Sequence, residues 1–162
     1  MSPVLTTRPA TRDDVPLILT FIKDLAEYER LSHEVMATEK DLTETLFGPR
    51  PGAEILLGFT ADEPVAFALF FSSYSTFLAK PGIYLEDLFV RPAWRGKGFG
   101  KAMLSVVAKV AVERGCGRLE WSCLDWNEPS IGFYKSLGAQ VMDEWTVYRL
   151  TGKTLMGFAG AD

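Results

Sequence analysis

Residues 84–103, with the sequence YLEDLFVRPAWRGKGFGKAM, contain an extended apolar run, a glycine-rich turn and the start of a helix. The apolar residues up to Val90 are typical of a buried strand, and those at the end of the segment recur at helical spacing. Gly96, Gly98 and Gly100 lie between the two elements. Glycines let a backbone approach an anion closely, and the unpaired amides of a helix start point at it. The segment therefore predicts a phosphate site, although glycine spacing alone fits a tight turn equally well.

Basic side chains flank this turn, whereas the rest of the chain is mildly acidic. Arg95, Lys97 and Lys101 surround the glycines, and the formal net charge is -4. A Walker A loop ending at Lys101 would need Ser or Thr where Ala102 stands, and glycine where Arg95 stands, so it is excluded. The dinucleotide fingerprint G-x-G-x-x-G is excluded because these glycines alternate singly. The acidic balance also argues against a nucleic-acid partner.

Strand and helix patterns alternate along the remainder of the chain. T-x-x-D capping boxes at Thr11 and Thr38 predict two helix starts, and Asn127 predicts a third. A turn at residues 61–64 separates two apolar runs and indicates an antiparallel hairpin, which excludes a doubly wound parallel sheet. Strands are expected over residues 4–8, 53–60, 64–75, 83–90, 118–124 and 145–150, with Val141 close by. We predict an α+β (mixed α/β) fold with about six or seven strands flanked by helices.

Length and composition exclude several classes of protein. With 162 residues, 48% of them hydrophobic, the chain suits a single domain over residues 1–162. No apolar run reaches membrane length, so a cytoplasmic location without a membrane partner is predicted. Cys116, Cys123 and His33 are too few and too badly spaced for a zinc site, and we expect no metal. The lone histidine also argues against a Ser-His-Asp triad.

Four stretches resemble the GNAT superfamily of N-acetyltransferases or one of its branches. Residues 95–100 fit its R/Q-x-x-G-x-G/A loop, and residues 126–139, WNEPSIGFYKSLGA, are similar to its second signature segment. IKDLAEYE at residues 22–29 is similar to the diamine branch, which includes spermidine/spermine and thialysine acetyltransferases, and residues 75–82 look closer to the thialysine type. The resemblance implies a splayed, mostly antiparallel sheet, a homodimer, and direct acetyl transfer from acetyl-CoA to the primary amine of a diamine, polyamine or thialysine-like amino acid.

The resemblance also implies a role for individual residues. Tyr134 and Glu86 would be catalytic. The cosubstrate acetyl-CoA would be bound by Leu88, Phe89, Val90, Arg95, Gly96, Lys97, Gly98, Phe99, Gly100, Lys101, Asn127, Pro129 and Ser130. The amine would be bound by Tyr28, Glu29, Glu86, Glu120, Trp121 and Ser122.

The chemistry of acetyl transfer requires an acid for the leaving thiolate. A phenol of pKa ~10 can give a proton to a thiolate of pKa ~8.5 at a cost of about 2 kcal/mol, which suits Tyr134. The residues alone leave another interpretation open, because Ile131, Tyr134 and Leu137 share a helical face and fit a packed core. Acetylation of a protein amine and a non-catalytic acyl-CoA-binding module also remain open.

The incoming amine must be bound as a cation and must then lose a proton. Direct transfer from an ammonium of pKa ~10.4 to an ordinary carboxylate of pKa ~4.3 costs about 8 kcal/mol. We therefore assign Glu86 to holding the ammonium and a water chain. Strand alternation predicts that Glu86 and Asp87 face opposite ways unless a bulge intervenes. Tyr28 and Glu29 also fit the polar end of a surface helix.

Overall fold

The computed structural model describes residues 2–161, which divide into one compact unit up to Leu124 and a second from Asp125 onward. The first unit contains β1 (Leu5–Pro9), α1 (Val15–Tyr28), α2 (Glu39–Phe47), β2 (Glu54–Thr60), β3 (Glu63–Ser75), β4 (Lys80–Val90), α3 (Phe99–Glu113) and β5 (Leu119–Trp121). The second contains α4 (Glu128–Ser136) and α5 (Gly152–Phe158). The single domain over residues 1–162 stays a prediction.

Within residues 2–161 the sheet has the order β1-β2-β3-β4-β5, and only the β4–β5 pair is parallel. β5 pairs with β4 from Ile83 to Leu85, whereas β4 continues to Val90 along β3. The sheet therefore opens between β4 and β5 beyond Leu85. The mixed, mostly antiparallel class is confirmed, with five strands in the described residues rather than six or seven.

Helix α1 packs on one face of the sheet because its apolar residues recur at helical spacing. Ile18, Phe21 and Leu25 are buried, and the Phe21 ring stacks on Phe67 of β3 at 5.1 Å between centroids. Phe21 also meets Phe89 of β4 edge-on at 6.4 Å. The aromatic cluster thus fixes the position of α1, and of the chain that follows it, against the second half of β4.

The capping box at Thr38 begins α2, as predicted. The Asp41 backbone N–H donates to Thr38 Oγ1, and the Thr38 backbone N–H donates to Asp41 Oδ2, each over 3.1 Å. Two donors that a helix start leaves unsatisfied are thereby paired.

The second unit confirms one sequence expectation and contradicts another. Asn127 caps α4, since its Oδ1 accepts a hydrogen bond from the Ser130 N–H at 3.3 Å. The expected strand over residues 145–150 and its neighbour Val141 are wrong: this stretch has no strand, and α5 follows it. Within residues 2–161, every helix falls short of the length and apolar character that a bilayer crossing requires.

Candidate active site

A β-bulge at Glu86 interrupts the regular pairing of β3 and β4. Leu69 lies opposite Asp87 and Phe70 lies opposite Leu85, so Glu86 is the extra residue of β4. Because residues opposite one another share a face, Asp87 lies on the sheet face of Leu69, the face that also carries Phe89. Strict alternation across Glu86 and Asp87 is therefore lost.

Three carboxylates lie within electrostatic range of one another beside this bulge. Burial, followed by the negative charges of Glu86 and then Glu29, together raise the pKa of Asp87 to about 7. The pKa of Glu29, which directly follows α1, is raised by burial and then by Glu86. Like charges held together disfavour ionisation, so this acidic cluster of Glu29, Glu86 and Asp87 favours a bound cation.

The raised pKa of Asp87 makes stability depend on pH. Because the folded-state pKa lies above the ordinary value of 3.8, the folded protein retains a proton that the unfolded chain loses, and stability falls as pH rises from about 4 to 7. Replacing Asp87 by Asn removes that charge. We expect the variant to melt about 3 °C or more above wild type at pH 8 and to show no such gain at pH 4, measured by circular dichroism. An equal gain at both pH values would contradict this origin.

The glycine-rich loop has the geometry of an anion cradle. Gly96 and Gly98 have φ of +76° and +82°, a left-handed conformation that favours glycine, and a Cβ at either would meet no described atom within 4 Å. Gly98 caps α3, so the amides of the first helical turn point toward the loop. Phe99 is buried and stacks on Trp94 at 6.2 Å, which anchors the helix start. Such a loop and helix start can bind a phosphate or pyrophosphate group.

The side chain of Arg95 points toward Tyr28, a predicted amine-binding residue. Its Nε donates a hydrogen bond to the Val90 carbonyl oxygen at 2.9 Å. Its guanidinium lies over the Tyr28 ring at 4.5 Å and over the Phe89 ring at 5.3 Å. Arg95 was predicted only for acetyl-CoA, and the structure brings it beside the last residue of α1 as well.

The residues of β5 lie where the sheet begins to open. Trp121 is the last β5 residue paired with β4, and Ser122 follows with its Oγ 2.5 Å from the Tyr84 hydroxyl. Glu120 forms an ion pair with Arg118 at 2.9 Å. Of the predicted amine-binding residues, Glu29 and Glu86 therefore belong to the acidic cluster, and Tyr28 precedes Glu29 in sequence. Glu120 is instead paired with Arg118.

The second unit carries the remaining predicted residues. Asn127 is buried at the start of α4, and Pro129 lies in the first turn. Tyr134 is half-buried, and its ring lies 5.4 Å from that of Phe133. α4 therefore holds the phenol on a short helix whose start is fixed by Asn127.

The open sheet edge, the glycine loop and the signature segments agree with a profile of the acetyltransferase (GNAT) family that matches residues 22–139. The chain belongs to this family. It is 39% identical to an L-ornithine N5-acetyltransferase of Arabidopsis thaliana, over 91% of this chain and 85% of that protein. It is 37% identical to a thialysine N-epsilon-acetyltransferase of Bos taurus, over 94% and 96%. An integron cassette protein from the mobile metagenome of V. cholerae matches with a TM-score of 0.81 and 27% identity over 99% of both chains.

Sequence reasoning missed two features of this acetyltransferase. It gave Asp87 no role, although a second carboxylate directly after Glu86 in a largely apolar strand was a signal. It placed Arg95 at the phosphates alone, because stacking on Tyr28 depends on residues distant in sequence. Among residues 2–161, no group of three His, Cys, Asp or Glu side chains is placed to hold a metal ion, and metal-free action stays a prediction.

Proposed function

We propose that this N-acetyltransferase acetylates the side-chain amine of a small diamino compound, with a diamino acid such as ornithine or thialysine as the favoured type. The acidic cluster of Glu29, Glu86 and Asp87 carries this proposal, because it favours a cation beside the open edge of the sheet. The L-ornithine and thialysine acetyltransferases similar to this chain support the substrate class.

The acidic cluster both binds the ammonium and helps it to lose a proton. Glu86, exposed on the bulge, holds the ammonium and a water chain. Asp87 has a pKa of about 7, so moving a proton to it from an ammonium of pKa ~10.4 costs about 5 kcal/mol, against about 8 for an ordinary carboxylate. Asp87 is thus a better temporary acceptor than an ordinary carboxylate, and Glu29 adds negative charge for a second amine.

The cosubstrate would be held by the residues that the family resemblance assigns. Acetyl-CoA supplies an acetyl group activated as a thioester. The amides of Gly96, Gly98 and the first turn of α3 would bind its phosphates, with Lys97 and Lys101 adding positive charge. Leu88 to Val90 present strand backbone beyond the end of the β5 pairing and would bind the pantetheine amides. From the second unit, Asn127, Pro129 and Ser130 would bind the cosubstrate, and the Tyr134 hydroxyl would protonate the departing sulfur.

An amine panel tests this function. We would measure acetyl-CoA-dependent thiol release with L-ornithine, thialysine, L-lysine, putrescine, spermidine and a lysine peptide. We expect saturable turnover with ornithine or thialysine. Turnover with spermidine alone would show that the enzyme is a polyamine acetyltransferase. Turnover confined to the peptide, or acetyl-CoA binding without turnover on any amine, would overturn the proposal.

A homodimer is the assembly that we propose. Its support is the set of large apolar side chains that the second unit exposes: Trp145, Val147, Tyr148 and Phe158 are each at least 75% accessible. Large exposed apolar side chains on one short segment are typical of an interaction surface. Light scattering should give twice the mass of 18.0 kDa, whereas a monomeric mass at micromolar concentration would contradict the dimer. A cytoplasmic location is also proposed, since Cys116 has a free thiol.

A further inference from the structure

We infer that Arg95 recognises the carboxylate of an α-amino acid substrate and so selects diamino acids over plain diamines. The inference rests on the proposed function, which it makes more specific. Arg95 begins the glycine-rich loop, yet its guanidinium lies over Tyr28, immediately before Glu29 of the acidic cluster. The guanidinium therefore lies at the end of α1, against the residue that precedes one of the three carboxylates.

The way in which the guanidinium is held leaves its binding edge available. The Nε–H is used by the Val90 carbonyl oxygen, and one face lies over the Tyr28 ring. These contacts fix its orientation, while Arg95 remains exposed to solvent. Among described residues up to Leu124, its two terminal amino groups make no hydrogen bond or ion pair. Terminal guanidinium nitrogens are the groups that bind carboxylates in a bidentate manner.

The charges at this end of α1 suit a zwitterionic substrate with an additional amine. Among the ion pairs of the described residues, none joins Arg95 to a carboxylate of the acidic cluster. Arg95 therefore does not neutralise the acidic cluster, and the two charges stay available to different groups of one ligand. A side-chain ammonium would lie at the carboxylates and an α-carboxylate at Arg95.

The pair L-ornithine and putrescine isolates the carboxylate, which is the one group that separates the two molecules. Putrescine has the larger net positive charge, so the acidic cluster alone would favour it. A preference for ornithine consequently reports a cationic contact at the other end of the substrate. We expect wild-type enzyme to have the higher kcat/KM for ornithine.

The decisive variant is Arg95→Gln, which removes the charge and keeps an N–H for the Val90 carbonyl. The ratio of kcat/KM for ornithine to that for putrescine should fall about fivefold, mostly through the ornithine KM. Lys109→Gln is the matched control, because it removes one positive charge from an exposed position on α3 to which no binding role is assigned; it should leave the ratio unchanged. Arg95→Lys keeps the positive charge but lacks the two terminal nitrogens of a guanidinium. It should lose part of the preference for ornithine, and it replaces the Gln variant if that variant misfolds. Circular dichroism checks folding.

Calorimetry gives a second readout that does not depend on turnover. In the presence of CoA, ornithine should bind wild-type enzyme more tightly than Arg95→Gln, whereas putrescine should bind both equally. A wild-type enzyme that turns over both amines without preferring ornithine would overturn the inference and leave the proposed function standing. So would an Arg95→Gln variant whose only defect is weaker acetyl-CoA binding. If no small amine is acetylated, the proposed function fails and the inference fails with it.

Discussion

Replacing Tyr134 by Phe is expected to lower the turnover number tenfold or more while acetyl-CoA binds with little loss of affinity. The variant removes only the hydroxyl that would protonate the departing sulfur, and a positioned acid typically contributes at least this factor. The ring keeps its place on α4 beside Phe133, so the helix should be preserved. Steady-state kinetics at saturating amine, together with calorimetric titration of acetyl-CoA, separate the two effects.

Tyr148→Phe provides the matched control, because Tyr148 is an exposed tyrosine of the same unit with 91% of its surface accessible. Its turnover number should equal that of wild type. An unchanged turnover number in Tyr134→Phe would remove Tyr134 as the acid and would favour the interpretation in which it serves only packing.

Replacing Glu86 by Gln should raise the Michaelis constant for the amine about tenfold or more and leave that for acetyl-CoA nearly unchanged. The charge on the bulge is lost, and a hydrogen bond between two ionised groups is about twice as strong as a neutral one. The same change should lower the pKa of Asp87, because Glu86 helps to raise it. The pH at which Asp87 titrates, followed by NMR of the carboxyl carbon, should therefore move down.

Glu63→Gln is a suitable comparison, because it removes an exposed carboxylate at the start of β3, in the hairpin with β2. It should leave both Michaelis constants as in wild type. An effect of Glu86→Gln on acetyl-CoA binding alone would contradict the assignment of Glu86 to the amine.

Much of the fold followed from local patterns that tertiary contacts reinforce. The capping box at Thr38 and the cap at Asn127 begin the helices that the sequence indicated, because each satisfies backbone donors within a few residues.

The prediction of a strand over residues 145–150 was wrong. The β-branched and aromatic residues of this stretch fit a strand, but a strand also needs a pairing partner, which propensity cannot supply. The helix Gly152–Phe158 was missed because its two glycines weaken a helical pattern.

The candidate site was predictable as a set of residue types but not as a geometry. Local sequence shows that Glu86 and Asp87 are adjacent, whereas the bulge that changes their facing depends on how β4 pairs with β3. The pKa of Asp87 likewise depends on burial and on Glu29, which is far away in sequence. Such long-range features require the folded chain.

The most direct test of the central claim is a competition in one vessel between L-ornithine and a lysine-containing peptide for acetyl groups from acetyl-CoA. Mass spectrometry of both products at early times gives the ratio of their kcat/KM values. We predict that most of the acetyl groups are transferred to the side-chain amine of ornithine, with at least tenfold preference over the peptide. Preferential acetylation of the peptide would contradict a small-amine acetyltransferase and would identify a protein amine as the substrate.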